Sequence, residues 1–592
     1  MSAPIGGEPP ALGLHGLGRP KASDAVDADL ILLHPPSIYD FRERDDIFHA
    51  NLSTGDSGVT AVYEMYPLGF KSIERHLATA GHSVRIINVA SLMLRYPTLD
   101  VHRFLSQMSA LAFGIDLHWM VHVQGSLALA EELKSLHRGI PVIFGGISST
   151  YFSDELIQYP QVDMVMRGYD TLNPLARLIS LLKSGAHEFP DVPNLVYKGS
   201  DGAVRENEFS YLPEYIPGID WSDYRKGITT PSRNDKMKNP PYILTLTSTG
   251  CAHNCPWCGG SRDAYRRIMG KKGKTVMYKP IDELVREVES LGDVSNTGLF
   301  VYTLQWYCEP KDRILPLVRA ARKVGIEKMQ FELFYLTPLD TVADMCHFVK
   351  PTFNLSPQSH DLEISRLSGR GTYTMEQMEA WIEKVLPMGV QSVNVWFFIG
   401  LEKQTPRSVY ETVDYCKNLL VRFQGRNVIP VINPMVPFLD PGSTIFEEPE
   451  KHGYRIFHRT VEEHRRAMLS PNPIDRLNYE TDWMSRKEIV YTAFEAVKRL
   501  VIAKGEIGLI PKSFAERSAD RLDRAVEIMR EIDETAFIAS PDAGLRANAR
   551  VKEKVREYNR SQLSSRNDQI FPVERALDGK WFDEFEFNPT AS

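Results

Sequence analysis

Short apolar runs alternate with helix-spaced segments along the first structured stretch of the chain. Asp29–His34 (DLILLH) reads as a buried strand, Gly69–Ala80 carries helical spacing, and Val84–Asn88 (VRIIN) reads as a strand again. Ala110–Gly114 is a further strand, Gln124–Leu136 a helix, and Pro141–Phe144 and Val162–Met166 are short apolar runs. Strands alternating with helices predict a doubly wound parallel sheet. Ligands of such sheets bind beyond the carboxyl ends of the strands. Small or turn-forming residues stand at those ends: His34-Pro35-Pro36-Ser37, Gly114-Ile115-Asp116, Gly145-Gly146-Ile147-Ser148-Ser149 and Arg167-Gly168-Tyr169-Asp170.

Residues from about 187 to 240 are rich in Pro, Gly and polar side chains, the composition of a linker. A second α/β run starts at Tyr242-Ile243-Leu244-Thr245-Leu246 and continues to about 450, with strand candidates Leu299–Thr303, Lys328–Phe334, Thr352–Ser356 and Val393–Ile399. That pattern predicts a partial or full (β/α) barrel, and a second open sheet would look similar. Beyond about 450 the chain is charged and mostly helical, as in Arg517–Thr535. The divisions are a flexible leader over 1–26, an α/β domain over 27–186, a linker over 187–240, a barrel domain over 241–450 and a helical region over 451–592.

Composition narrows the function classes. A chain of 592 residues is too long for one core. Its 43% hydrophobic and 24% charged residues are ordinary for a soluble globular protein. A net charge of -7 gives no basis for nucleic-acid binding, and the Lys271-Lys272-Gly273-Lys274 run reads as a solvated loop. No apolar stretch is long enough to span a bilayer, and the leader lacks the order of a signal peptide. Six cysteines are too few for a disulfide framework; three fall within residues 251–258, while Cys308, Cys346 and Cys416 are scattered. Such usage suits a reducing cytoplasm and a metal site.

The cluster is Cys251-Ala252-His253-Asn254-Cys255-Pro256-Trp257-Cys258, directly after the strand Ile243–Thr247. Three thiolates in one loop can grip three irons of a [4Fe–4S] cluster and leave the fourth iron open. Structural zinc normally takes four protein ligands, and no second Cys-x-x-Cys follows. A chance grouping of buried cysteines is the plain alternative. The spacing, after the first strand of a (β/α) domain, resembles the signature of the radical S-adenosylmethionine (SAM) superfamily. The resemblance implies a [4Fe–4S] cluster on Cys251, Cys255 and Cys258, with SAM chelated at the open iron and cleaved by one electron to a 5′-deoxyadenosyl radical. It also implies cofactor contacts at Trp257, Gly259 and Gly260, at Ser356 and Gln358 on a strand end, and at Gly400 in a late strand packed on adenine. Taken singly, each of these is also an ordinary turn or strand end.

An α/β domain ahead of a radical SAM domain resembles the cobalamin-binding subclass. The likeness rests on His34-Pro35-Pro36-Ser37, Tyr66-Pro67-Leu68-Gly69-Phe70, Gly81-His82-Ser83-Val84, Gly145-Gly146-Ile147-Ser148-Ser149-Thr150 and Arg167-Gly168, and spans roughly residues 28–450. It implies a Rossmann-like domain in which Pro36, Ser37, Leu68, Gly69, Asp116, Gly145, Gly146, Ser148, Ser149 and Gly168 cradle cobalamin. Two departures qualify it. Histidine-ligating cobalamin enzymes carry Asp-x-His-x-x-Gly; Asp116-Leu117-His118-Trp119 has only the first three letters. The expectation is therefore cobalt without a lower histidine, and His118 as a buried, hydrogen-bonded core residue, with reach to the cobalt as the alternative. Second, relatives often carry Asp after the next barrel strand, where this chain has Val301-Tyr302-Thr303-Leu304-Gln305-Trp306-Tyr307-Cys308. Tyr302, Tyr307 and Glu332 are candidates for a base or acid, with barrel packing as the alternative. Cys308 is expected to be an ordinary half-buried cysteine, with a fourth cluster ligand or a redox-active thiol as the alternatives.

The activity this resemblance implies is transfer of a methyl group from SAM, through methylcobalamin, to a poorly activated carbon. The substrate would be a small molecule, a natural-product precursor or a peptide-derived group. The route is radical or, for an sp2 carbon such as the indole of tryptophan, polar. An external electron donor such as flavodoxin or ferredoxin is implied, with no nucleic acid and no membrane. A cyclase or rearranging enzyme using the same cofactors is the alternative within that class. A cobalamin sensor with a structural cluster is the alternative outside it.

Overall fold

The structure, a computed structural model, describes residues 27–50, 68–95, 98–222, 242–270, 275–292, 298–302, 311–434, 438–536 and 541–564. The leader 1–26, the Lys271–Lys274 run, Tyr307 and Cys308 lie outside these residues, and Tyr302 is described in its backbone only.

The first sheet has seven strands: β1 (Ala28–His34), β2 (Val84–Asn88), β3 (Ala110–Asp116), β4 (Val142–Gly145), β5 (Met164–Met166), β6 (Leu195–Lys198) and β7 (Val204–Glu206). Their order is β2-β1-β3-β4-β5-β6-β7, parallel through β5 and antiparallel from β5 to β7. β1 is buried at every position because it feeds two cores. Ile31 and Leu33 pack with Leu127, Ala130 and Leu133 of the helix Val123–Leu136. Leu30 and Leu32 pack on the opposite face with Leu175, Leu178 and Ile179 of the helix Leu172–Lys183. Strand order reverses between β1 and β3, so their last residues, His34 and Asp116, stand at the crevice where such sheets take ligands. Within the 187–240 stretch, whose composition is that of a linker, β6 and β7 extend this sheet.

The second sheet contains β8 (Tyr242–Leu246), β11 (Gly298–Tyr302), β12 (Lys328–Leu333), β13 (Lys350–Gln358), β14 (Ser392–Ile399) and β15 (Val428–Pro434). All are parallel and lie in chain order. Among the described residues β8 and β15 pair on one side only, so the barrel is partial. A short antiparallel ribbon pairs β9 (Ser248–Gly250), directly before the cysteine loop, with β10 (Val276–Tyr278), which follows it. Alternation sorts the sheet's faces. Met329, Phe331 and Leu333 of β12 and Val393, Val395 and Phe397 of β14 enter one core with the flanking helices. The other face carries a polar row in register, Glu332 opposite Asn354 and Asn354 opposite Asn394. Asn394 Nδ2 donates to Asn354 Oδ1 at 2.8 Å.

The C-terminal region completes that core. The helix Arg486–Glu506 inserts Ile489, Val490, Phe494 and Val497, and the helices Lys512–Ala536 and Pro541–Ser564 follow. The last helix also grips the loop after β1: Asn559 Oδ1 accepts the His49 N–H at 2.9 Å and its Nδ2 donates to Ile47 O at 2.8 Å.

Candidate active site

The cysteine loop is a run of tight turns. The N–H of Cys258 donates to Cys255 O at 3.2 Å, that of Ser261 to Cys258 O at 3.1 Å, and that of Arg262 to His253 O at 2.9 Å. Ser261 then caps the helix Arg262–Met269. Cys251 and Cys255 are buried and Cys258 is half-buried. The sulfurs already receive donors: the His253 N–H reaches Cys251 Sγ at 3.3 Å, and the Arg370 guanidinium donates to Cys255 Sγ. Gly369, at φ +81°, lies so close that a Cβ there would come within 2.7 Å of Cys255 Cα. Burial, with Asp440 and Cys255 adding to it, pushes the Cys258 thiol well above its usual range. A metal would have to displace that proton on binding. Among the described residues no three Cys, His, Asp or Glu side chains converge on a single ion. In a four-iron cluster each thiolate takes a different iron.

Beside this loop, β13 breaks its register between Leu355 and Gln358, across Ser356-Pro357, where proline has no N–H to give. Gln358 emerges buried with φ +67°, a strained setting for a side-chain-bearing residue. Its Oε1 accepts the Trp257 indole N–H at 3.4 Å, while its Nε2 is buried without a protein partner. Thr247 Oγ1, Ser248 Oγ and Asn433 Oδ1 are likewise buried and unpartnered. Each such group costs roughly 1–3 kcal/mol. They follow β8, lie in β9, or stand near the ends of β13 and β15, where a parallel barrel binds its ligands. These unmet groups fit a polar ligand such as SAM. Ser356 is buried at the same strand end. Gly400 is backed from behind: a Cβ would come 2.3 Å from Tyr479 Oη, and its carbonyl takes the Tyr454 O–H at 2.9 Å.

Glu332 lies on the polar face of β12, and burial raises its pKa against the opposing charge of Arg370. Arg370 stacks on Phe334 at 3.7 Å. Burial, with Arg370 beside it, pulls His253 down to about 4, so that imidazole is neutral.

A cavity of about 470 Å³ lies between the two sheets. His118, Trp119, Ser148 and Tyr169 line it from the first; Trp257, Gly259, Gly260 and Phe398 line it from the second, with Asp440 closing one side. Four residues expected to touch cofactors, Ser148, Trp257, Gly259 and Gly260, therefore meet in one space. The others lie outside its lining. Ser149 is turned inward, donating to Gly145 O at 3.0 Å. Gly168, at φ +135°, gives its N–H to Thr150 Oγ1 at 2.9 Å. Pro36 and Ser37 are pressed on the helix Val123–Leu136, where a Cβ on Gly125 would come 1.7 Å from Pro36 O. Leu68 and Gly69 open the helix Leu68–Thr79, and neither Gly69 nor Gly145 has an atom within 4 Å of a notional Cβ. Asp116 is buried between His34 and His118. Burial pushes its carboxyl up, but the two imidazoles outweigh that and hold it ionised. His118 is hydrogen-bonded, yet its side chain is 34% exposed and borders the cavity rather than the core.

Two residues escaped the sequence reading. Asp440 accepts the Gly259 N–H at 2.9 Å and the Trp119 indole N–H, tying the cysteine loop to the first sheet; burial raises its pKa to about 6. Its turn, Asp440-Pro441-Gly442-Ser443, is visible in the sequence, but such turns are common. Arg370 follows a Gly369 whose left-handed backbone no periodicity announces.

Two families match separate stretches of the chain. Residues 57–176 match the B12 binding domain family and residues 245–416 the Radical SAM superfamily. An uncharacterised methyltransferase of Pyrococcus horikoshii is 23% identical over 354 residues, 57% of this chain and 70% of that protein. Among solved structures, the radical SAM methyltransferase TsrM of Kitasatospora setae, with cobalamin and a [4Fe–4S] cluster bound, superposes with TM-score 0.55 at 13% identity, covering 89% of this chain and 99% of that one. The same enzyme with tryptophan and a SAM analogue gives TM-score 0.53 at 15% identity over 80% of this chain and 89% of that one. At such identities the likeness establishes the fold.

Proposed function

We propose, for a chain that joins a B12-binding domain to a radical SAM domain and so belongs among the cobalamin-dependent radical SAM enzymes, that it methylates a carbon of a small molecule, with SAM as the methyl source and cobalamin as the carrier. One observation carries this reading. The cavity of about 470 Å³ is walled by His118 and Ser148 on one side and by Gly259 and Gly260, next to Cys258, on the other. Groups held on the two sheets would face each other across it.

The cluster with SAM supplies one-electron chemistry and cobalamin a transferable methyl; the protein supplies binding, aim and exclusion of water. Cys251, Cys255 and Cys258 would hold the cluster. Gln358, Ser356 and Thr247 offer polar atoms for SAM, and Gly400 a wall backed by Tyr479. Gly145, Gly146, Ser148, Ser149 and Gly168, with Pro36, Ser37, Leu68, Gly69 and Asp116 around them, would form the corrin cradle. Asp440 and Trp119 brace the seam between the sheets. Glu332, with its pKa raised by burial, is suited to exchange a proton with substrate, and Tyr302 and Tyr307 are the further candidates. Trp119, Trp257, Phe398 and Phe438 in the lining favour a substrate with a planar apolar part. That agrees with the tryptophan bound by TsrM, and it favours an sp2 carbon as acceptor. A flavodoxin or ferredoxin would supply the electron, in the cytoplasm. Among the described residues no helix is long and apolar enough to cross a membrane.

The test is anaerobic purification with assays of iron, sulfide and corrin, followed by turnover with SAM and planar aromatic substrates. The expected products are S-adenosylhomocysteine and a product heavier by one methyl group. 5′-Deoxyadenosine without either would point to a cyclase or rearranging enzyme. Intact SAM after reduction of the loaded protein would point to a sensor.

A further inference from the structure

We propose that His118 is an axial ligand of the bound cobalt, through Nε2. The inference rests on reading the first sheet as a cobalamin site, and it reverses the expectation raised by the missing glycine after Asp116-Leu117-His118. What that pattern lacks in letters the fold supplies in geometry. His118 Nδ1 lies 2.7 Å from Asp116 Oδ2, and the same carboxylate takes His34 Nδ1 at 3.0 Å. With Nδ1 turned to the carboxylate, Nε2 is the ring nitrogen of His118 left for a metal, and in the neutral imidazole that donates through Nδ1–H it carries the lone pair. A carboxylate on the far nitrogen is the usual device that fixes the tautomer and orientation of a metal-binding histidine and raises its basicity.

The two imidazoles differ in where they stand. His34 is 0% exposed, whereas the His118 side chain is 34% exposed and borders the intersheet cavity. His118 follows β3 at the strand-order reversal, where a ligand of this sheet is expected. Its backbone is fixed from several sides. Ser148 Oγ donates to His118 O at 3.2 Å, the Leu117 N–H donates to Gly145 O at 2.8 Å, and the Ser149 N–H to Leu117 O at 3.0 Å. Gly146, at φ +110°, approaches so closely that a Cβ would sit 2.8 Å from His118 N. A ring aimed by a buried acid and held on a hydrogen-bonded, closely packed loop is built as a ligand, not as packing.

The experiment uses the full chain, reconstituted anaerobically with cobalamin, reduced to the cobalt(II) state and examined by electron paramagnetic resonance. Corrin content is assayed first. A protein that takes up no corrin overturns the cobalamin reading itself, and this inference with it. With corrin bound, an axial 14N ligand splits the high-field cobalt lines into triplets. Protein labelled with [15N]histidine should give doublets instead, because the cofactor's own nitrogens stay unlabelled. The doublets should vanish in His118→Gln. Should that variant lose its corrin, His118→Gly with added [15N]imidazole is expected to restore both corrin and doublets; failure to restore them counts against the proposal. Triplets that ignore the label, an unsplit spectrum, or doublets that survive in His118→Gln each overturn the ligand assignment and leave the cobalamin reading standing.

Discussion

The strand ends of the two sheets, the two walls of the site, are finished to different degrees. On the first sheet, Asp116 is engaged by His34 and His118, Ser148 by His118 O, Ser149 by Gly145 O, and Gly168 by Thr150. On the second, Thr247 Oγ1, Ser248 Oγ, Gln358 Nε2 and Asn433 Oδ1 are buried with no protein partner. A satisfied polar network is rigid and keeps its shape unaided. A wall of unmet groups carries a standing cost that a polar ligand removes, so that ligand should also stabilise the fold. The first wall is thus shaped in advance, and the second is completed on binding.

Cys255→Ala tests whether the walls are separable, and it has the largest expected effect. Cluster retention should fall by ~100-fold or more, because loss of even an outer partner costs metal sites about 10–100-fold. SAM cleavage should go with it, while corrin binding stays. Iron, sulfide and corrin measured on one sample decide this. Loss of both cofactors would mean that the walls form a single unit.

Gly146→Ala strikes the preformed wall. The new Cβ meets His118 N at 2.8 Å and the backbone sits at φ +110°, so nothing flexible can yield. The expected cost is about 1–3 kcal/mol, read by chemical denaturation, together with weakened corrin binding and unchanged iron content. Normal corrin affinity in this variant would show that the wall adapts to its ligand.

The same contrast explains what was legible in the sequence. β1, β2 and β14 were readable because both-face burial or strict alternation leaves a plain apolar pattern, as in DLILLH and VNVWFF. The cysteines were readable because ligand spacing within one loop is local. The β9–β10 ribbon was not, since three-residue strands carry too little periodicity. Val204–Glu206 was hidden in a linker-like composition because an exposed edge strand needs few apolar residues. Asp440 and Arg370 reach the site from 181 and 115 residues away, contacts that no local pattern encodes. His118 is hydrogen-bonded as expected but borders the cavity instead of the core, a placement that no local pattern encodes. The carboxylate two residues earlier sets the ring's orientation.

Thr247→Val sharpens the contrast with two effects of opposite sign. The hydroxyl is fully buried and unpartnered, and valine keeps the shape. Removing an unsatisfied buried group should stabilise the ligand-free protein by about 1 kcal/mol. If SAM satisfies that hydroxyl, affinity for SAM should fall by a similar amount, roughly tenfold at most. Thermal melts with and without SAM measure both. A variant less stable in both states would remove Thr247 from the ligand-dependent set.

Asp170 is the weak point of the finished wall and gives the smallest effect. Burial raises its carboxyl to about 6, and only the Leu172 N–H, at 3.2 Å, opposes this. Because the folded state disfavours the ionised form, stability is lost as pH rises from the ordinary value of 3.8 through about 6 and is level above that. Asp170→Asn keeps an oxygen for Leu172 and cannot ionise, so it should lack this slope. The variant should match the parent near pH 4 and melt higher above pH 6, by no more than about 2–4 °C for a chain of this size. Melting curves across that window decide the point. A parent that gains stability between pH 4 and 6 relative to the variant would mean that Asp170 has a cationic partner in solution, and that this wall is partnered there too.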